Sequence, residues 1–222
     1  MLTDSAISFC CRKEEKMSGK RKIKPVNDNV DKAMTYRELM SKYKKAVKSE
    51  CYFEAMLITY AFLEDRLRSY LYYIGIFISK ASYKFDNKKI KQYIKAMVEK
   101  YSENTKLSVS SISAKMNIVR SVQLWYKEGC RNDDNSLYLN ELAECIDVCG
   151  DADEMLDTLK RISEWCEYRN EVVHAVMNKN LNSLYSELSD RAEDGMALGR
   201  IIDKQISAIK RMNNVRKALK LK

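Results

Sequence analysis

Residues 51–78 read CYFEAMLITYAFLEDRLRSYLYYIGIFI. Phe53, Met56, Tyr60, Leu63, Leu67, Tyr70 and Leu71 recur there at steps of three and four. On a helix turning about 100° per residue this puts them on one wide face. A stripe that broad needs more than one neighbour, so the spacing predicts a helix from Cys51 to Ile78 at the centre of a bundle. The densest apolar run, Tyr70 to Ile78, is roughly half of the ~20 residues that a membrane span needs. It reads as core, and no membrane contact is expected.

The rest of the chain repeats the helical period and never switches to a period of two. With one proline and six glycines in 222 residues, little interrupts helices. The fold class is therefore all-α: a single helical bundle of about seven to eight helices. Residues 1–30 lack apolar periodicity and contain Pro25 and a basic run, which reads as a flexible N-terminal arm on a helical domain spanning 31–222. Met17, just ahead of that run, could serve as the start in place of Met1. Thr35 and Glu38 have the spacing of a capping box and predict a helix start at Thr35, with Tyr36, Met40, Tyr43 and Val47 on its inner face. Asp86 can cap a helix carrying Ile90, Ile94, Met97 and Tyr101, and Ile112, Met116, Val119 and Trp125 mark another that ends near Gly129. A polar loop, Arg131 to Asn135, leads to a short helix ending at Gly150. Asp151, Asp153 and Glu154 open the next, expected from Ala152 to Asn178, with the stripe Met155, Leu159, Ile162, Cys166, Val173 and Met177. Gly195 is expected to separate two last helices, Leu181 to Glu193 and Met196 to Leu219.

Seven cysteines without framework spacing argue for a reducing compartment, the cytoplasm. The formal net charge of +9 favours a polyanionic partner. Its carriers form four clusters: Lys20 to Lys24, Lys42 to Lys48, Lys88 to Lys95, and Lys210 to Lys222. Solvated helix faces and a tail account for most of these. Tyr72, Tyr73 and Tyr168, near basic residues, could stack on bases.

His174 is the only histidine, and it follows Arg169 and Asn170 by five and four residues on a helix. For this composition, chance would place Arg and Asn at both positions before one histidine only about 0.004 times. Asn170 and His174 sit nearly one above the other, and Arg169 lies across the apolar stripe. Three polar groups thus flank a face that ought to be buried, and such a patch needs a partner from a neighbouring helix, a second subunit or a ligand. One reading pairs Arg169 with a carboxylate such as Glu64 or Asp65 and makes His174 a satisfied histidine.

The other reading starts from a resemblance. Arg169-Asn170-Glu171-Val172-Val173-His174 resembles the R-N-x-x-x-H form of the R-x(4-6)-H motif of HEPN domains, found in toxin RNases, CRISPR-associated RNases and abortive-infection proteins. The helix around Glu64, Asp65, Arg66 and Arg68 is similar to that family's early core helix, whose charged residues approach the motif. The resemblance implies an endoribonuclease that cuts single-stranded RNA without a metal or other cofactor, through attack by the ribose 2′-hydroxyl, at a composite site formed by a homodimer. His174 would be the acid or base, Arg169 would stabilise charge on the phosphate, and Asn170 would orient them. Arg66, Arg68 and Tyr168 would contact RNA, with Glu64 and Asp65 supporting the site. A toxin or phage-defence role would add an antitoxin or inhibitor protein as partner. Family members silenced by AMP attachment carry tyrosine two residues after the histidine, and Val176 stands there instead. A non-enzymatic helical module that dimerises, or binds nucleic acid or protein, remains the alternative. A zinc set from Cys145, Cys149, Cys166 and His174 is disfavoured, because no CxxC pair is present.

Overall fold

The computed structural model describes residues 29–78, 84–85, 87–129, 136–175, 181–212 and 214–221. Among these residues the chain forms eight helices and no strand, an all-α bundle: α1 (Asn29–Lys48), α2 (Tyr52–Tyr73), α3 (Lys88–Tyr101), α4 (Ile112–Lys127), α5 (Leu137–Cys149), α6 (Ala152–Ala175), α7 (Leu181–Met212) and α8 (Asn214–Ala218). The expected arm up to residue 28, the cap Asp86, the loop Arg131 to Asn135, and the positions Val176 to Asn178 lie outside the described residues.

Capping side chains set several of the helix starts. Ser111 accepts from the Ala114 amide at 3.1 Å, Asn87 from the Lys89 amide at 2.7 Å, and Asp151 from the Asp153 amide at 2.8 Å. Each satisfies a backbone donor that the first helical turn leaves unpaired. Thr35 does not cap. Helix α1 begins at Asn29, and the Thr35 hydroxyl, inside it, donates to the Asp31 carbonyl at 2.8 Å. A threonine one turn into a helix has that carbonyl within reach, so the capping-box spacing misplaced the helix start.

Helix α2 is the centre, as its stripe predicts: Met56, Leu63, Leu67, Tyr70 and Leu71 are fully buried, with Phe53 and Tyr60 half-buried at its margin and Phe62 buried beside it. Each such side chain contributes on the order of 1.5–3 kcal/mol through burial. Helices α1, α4 and α7 pack around it. The helix stops at Tyr73, five residues short of the expected end, because Gly75 adopts φ 85°. The apolar run continues as core in another conformation, with Ile74, Ile76 and Phe77 fully buried and Phe77 bridging to Phe85. Tyr70 is satisfied in the interior by Gln123, whose amide donates to its hydroxyl at 2.8 Å.

The expected break at Gly195 does not occur. Helix α7 runs unbroken from Leu181 to Met212, and both Gly195 and Gly199 are buried within it. A Cβ on Gly195 would lie 2.5 Å from the Trp165 ring and 2.7 Å from the Thr59 methyl, and one on Gly199 would collide with the Phe62 ring. The glycines thus serve helix contact rather than helix termination: only a residue without a side chain lets α7 approach α2 and α6 this closely. We expect Gly199→Ala to destabilise the fold by about 1–3 kcal/mol in urea unfolding, since overpacking outweighs the gain in helix propensity.

Candidate functional site

Helix α6 buries Met155, Leu159, Ile162, Trp165 and Cys166, then Val172 and Ala175. The stripe therefore shifts to Val172, and Val173, expected in it, is half-buried. Between Cys166 and Val172 the inward position is 169, where an apolar residue would fit and an arginine stands. Arg169 is half-buried, with its guanidinium carbon 4.6 Å from the centroid of the Tyr60 ring on α2. Its Nη1 donates to Asn170 Oδ1 at 3.0 Å, and its buried Nε has no hydrogen-bond partner. A cation over an aromatic face gains about 0.5–2 kcal/mol yet keeps its whole charge. Asn170 and His174 lie on the outer flank of α6 and are exposed. Of the three motif residues, Arg169 is the one held against the ring of a neighbouring helix.

The carboxylates that could have neutralised Arg169 are engaged elsewhere. Glu64 pairs with Lys115 of α4, Oε1 to Nζ 2.9 Å, and that lysine side chain is fully buried. Tyr60 and Glu64 are one turn apart on α2, so Arg169, Tyr60, Glu64 and Lys115 lie in a row from α6 across α2 to α4. Burial, reinforced by Glu64, pushes the Tyr60 hydroxyl above its ordinary range and keeps it protonated. Sequence reading took Tyr60 as plain core and passed over Lys115. A lysine in the stripe formed by Ile112, Met116 and Val119, facing a helix with a glutamate in its own apolar face, was the available signal.

Asp65, Arg66 and Arg68 form a different group. Asp65 binds Lys32 of α1 at 2.8 Å and Arg68 at 3.0 Å, and it also pairs with Arg66, which in turn pairs with Asp203 of α7. Burial would raise the Asp65 carboxyl, but Lys32 and Arg66 outweigh it and hold the carboxyl at about 2. For Lys32, burial outweighs the attraction of Asp65 and lowers the ammonium. Tyr168 points to neither group: Arg191 of α7 covers its ring at 4.8 Å. The structure thus joins Glu64 to Arg169 through Tyr60, and gathers Asp65, Arg66 and Arg68 around α1 and α7.

Among the described residues, no three His, Cys, Asp or Glu side chains are arranged to hold a metal ion. Burial pushes the thiols of Cys145 and Cys166 up to about 11 and that of Cys149 to about 12, so they pack as small apolar groups. No helix is long and apolar enough to cross a membrane among the described residues.

The Asp65 cluster carries a pH signature. The folded carboxyl titrates at about 2 and the unfolded one at 3.8, so between them the unfolded chain binds more protons and stability rises with pH. We expect this contribution to be complete above about pH 4 and to vanish as pH falls through about 2. Asp65→Asn should flatten that limb in acid-unfolding curves. Compared with known proteins, the chain matches no family model, no curated protein and no solved structure.

Proposed function

We propose that the chain is a HEPN-type endoribonuclease that cuts single-stranded RNA without a metal, at a site completed by a second copy. The observation that carries this reading is Arg169. It is a half-buried guanidinium propped on Tyr60 and steered by Asn170, with no carboxylate paired to it among the described residues, beside an exposed imidazole one turn further along. Arginines held in the core for structure are normally neutralised, as Arg66 is by Asp65 and Asp203, or capped by several carbonyls, as Arg216 is by those of Tyr72, Phe77 and Ile78, whereas Arg169 has one side-chain amide oxygen. A positioned, uncompensated fork suits a phosphate that gains charge in the transition state.

In the proposed reaction, the 2′-oxygen of a ribose forms a bond to the adjacent phosphorus while the bond from phosphorus to the 5′-oxygen breaks. A base removes the 2′-hydroxyl proton and an acid delivers a proton to the leaving 5′-oxygen, giving a 2′,3′-cyclic phosphate and a free 5′-hydroxyl. Imidazole is the side chain best suited to both transfers near neutral pH. The chain has one histidine, so two imidazoles require two chains, and a symmetric pair would bring His174 and Arg169 of each into one site. Use as a toxin or defence effector, restrained by an inhibitor protein, belongs to the same reading. The same uncompensated cation also favours a second reading, a module that docks an acidic partner or nucleic acid without turnover.

We expect purified protein to cleave single-stranded RNA in EDTA and leave cyclic phosphate ends. His174→Ala should reduce cleavage by about 10²–10⁴-fold with an unchanged thermal midpoint, and Arg169→Ala by about 10²–10³-fold with a midpoint shifted by no more than a few degrees. Salt-sensitive binding with no product would establish the second reading instead. Full cleavage by His174→Ala would refute the assignment of that residue.

A further inference from the structure

Away from the Arg169 site, a cleft of about 990 Å³ opens between α1, the second half of α2, the end of α7 and α8. Its construction begins at the turn after α2. Gly75, at φ 85°, leaves room for α8: a Cβ there would lie 2.9 Å from Val215 and 3.1 Å from Leu221. Into this gap α8 sends Arg216, 6% exposed, which donates to the carbonyls of Tyr72 at 3.1 Å, Phe77 at 2.9 Å and Ile78 at 3.3 Å and lies over the Tyr72 ring at 4.0 Å. Arg216 thereby bridges the last turn of α2 to the carbonyls of Phe77 and Ile78 beyond the Gly75 turn, and it fixes α8 in place.

Docked in this way, α8 and the turn after it carry Lys217 and Lys220 to the same opening as Arg37 of α1 and Lys210 of α7. All four are exposed, and none has an ion-pair partner among the described residues. The one carboxylate in the lining, Asp203, is already bound to Arg66. Half-buried Tyr36, Tyr72 and Tyr73 line the same cleft, Tyr36 backed by Arg66 at 5.1 Å and Tyr72 by Arg216 at 4.0 Å. Four unneutralised cations from α1, α7, α8 and the turn after α8, sharing one cleft with aromatic rings, form the combination that receives a phosphate backbone and stacks its bases. An acidic protein surface would use the charges but not the rings.

We propose that this cleft binds single-stranded nucleic acid, its phosphates along Arg37, Lys210, Lys217 and Lys220 and its bases against the tyrosine wall. The site is separate from the Arg169 patch and does not rest on catalysis there. Binding is measured in full-length His174→Ala protein, so cleavage cannot deplete the probe. A fluorescently labelled single-stranded RNA of about ten nucleotides is titrated by anisotropy at several salt concentrations. The test variant is Arg37→Glu/Lys210→Glu/Lys217→Glu. Lys88→Glu/Lys89→Glu/Lys95→Glu on α3 makes the same change in net charge away from the cleft.

The expected result is a loss of at least tenfold in affinity for the cleft variant and less than threefold for the α3 variant. The salt slope of the cleft variant should also be smaller by about 2, at ~0.7 per lost phosphate contact on a single strand. The matching glutamine triple, which keeps the helices' polarity, should show the same ranking. Equal losses from both glutamate triples would overturn the proposal, as would displacement of the RNA by polyglutamate or by heparin at equal charge concentration. Displacement by free ATP at the concentration of RNA phosphate would also overturn it, because the ligand would then be a lone nucleotide.

Discussion

The close approach of α7 to α2 and α6 is the constraint on which the remaining geometry depends. Gly195 and Gly199 remove two side chains where Trp165, Thr59 and Phe62 press against the helix. At that separation the Trp165 indole donates to the Arg191 carbonyl at 2.6 Å, tying α6 to α7, and Asp203 reaches Arg66 on α2. With α6 and α2 both fixed against α7, Arg169 falls over the Tyr60 ring. Beyond α7, α8 locks onto the Gly75 turn through Arg216. Two small residues in the middle of a 32-residue helix thus set both the arginine patch at one place and the basic cleft at another.

The two charge groups on α2 have opposite electrostatic characters. Around Asp65, two arginines and a lysine converge on a carboxylate held at about 2, and Asp203 supplies a further negative charge to Arg66. That group links α1, α2 and α7, and its charges largely cancel. Across the helix, the Glu64–Lys115 pair closes on itself and leaves Arg169 outside it. Desolvating an arginine without an opposite charge costs free energy, and a ring face recovers only part of that cost. Retaining such a residue on an otherwise apolar stripe fits a role toward something that binds there better than toward the fold itself.

The central helix, the helical class and most of the apolar faces were legible because burial follows a 3.6-residue period, and Met56, Leu63, Leu67 and Ile162 obey it. The helix ends were less legible. Thr35 carried a capping spacing, but the residues ahead of it continue the helix. Gly195 looked like punctuation, because a sequence does not reveal that the neighbouring element is close enough to require a missing side chain. The run from Tyr70 to Ile78 was rightly read as core but wrongly as helix beyond Tyr73, since Gly75 changes the backbone without changing the hydrophobicity. At the candidate site, the spacing of Arg169, Asn170 and His174 was visible, whereas Tyr60 and Lys115 were hidden among apolar neighbours. Of the cleft, the basic cluster from Lys210 to Lys222 and the base-stacking tyrosines Tyr72 and Tyr73 were visible, but not their meeting with Arg37, which depends on how α1, α7 and α8 pack.

Because His174 is the only histidine, its ring gives a single imidazole signal that can be followed without assignment. The most direct measurement is the proton NMR spectrum of that imidazole during titration with a single-stranded RNA whose 2′-hydroxyls are replaced by hydrogen, so that it binds without being cut. If His174 and Arg169 form an RNA site shared by two symmetric copies, one resonance should shift saturably. With the basic cleft blocked by Arg37→Glu/Lys210→Glu/Lys217→Glu, the saturating ratio should be one strand per two chains, and the response should disappear in Arg169→Ala. A resonance that stays in place at saturating RNA would contradict this view of the site.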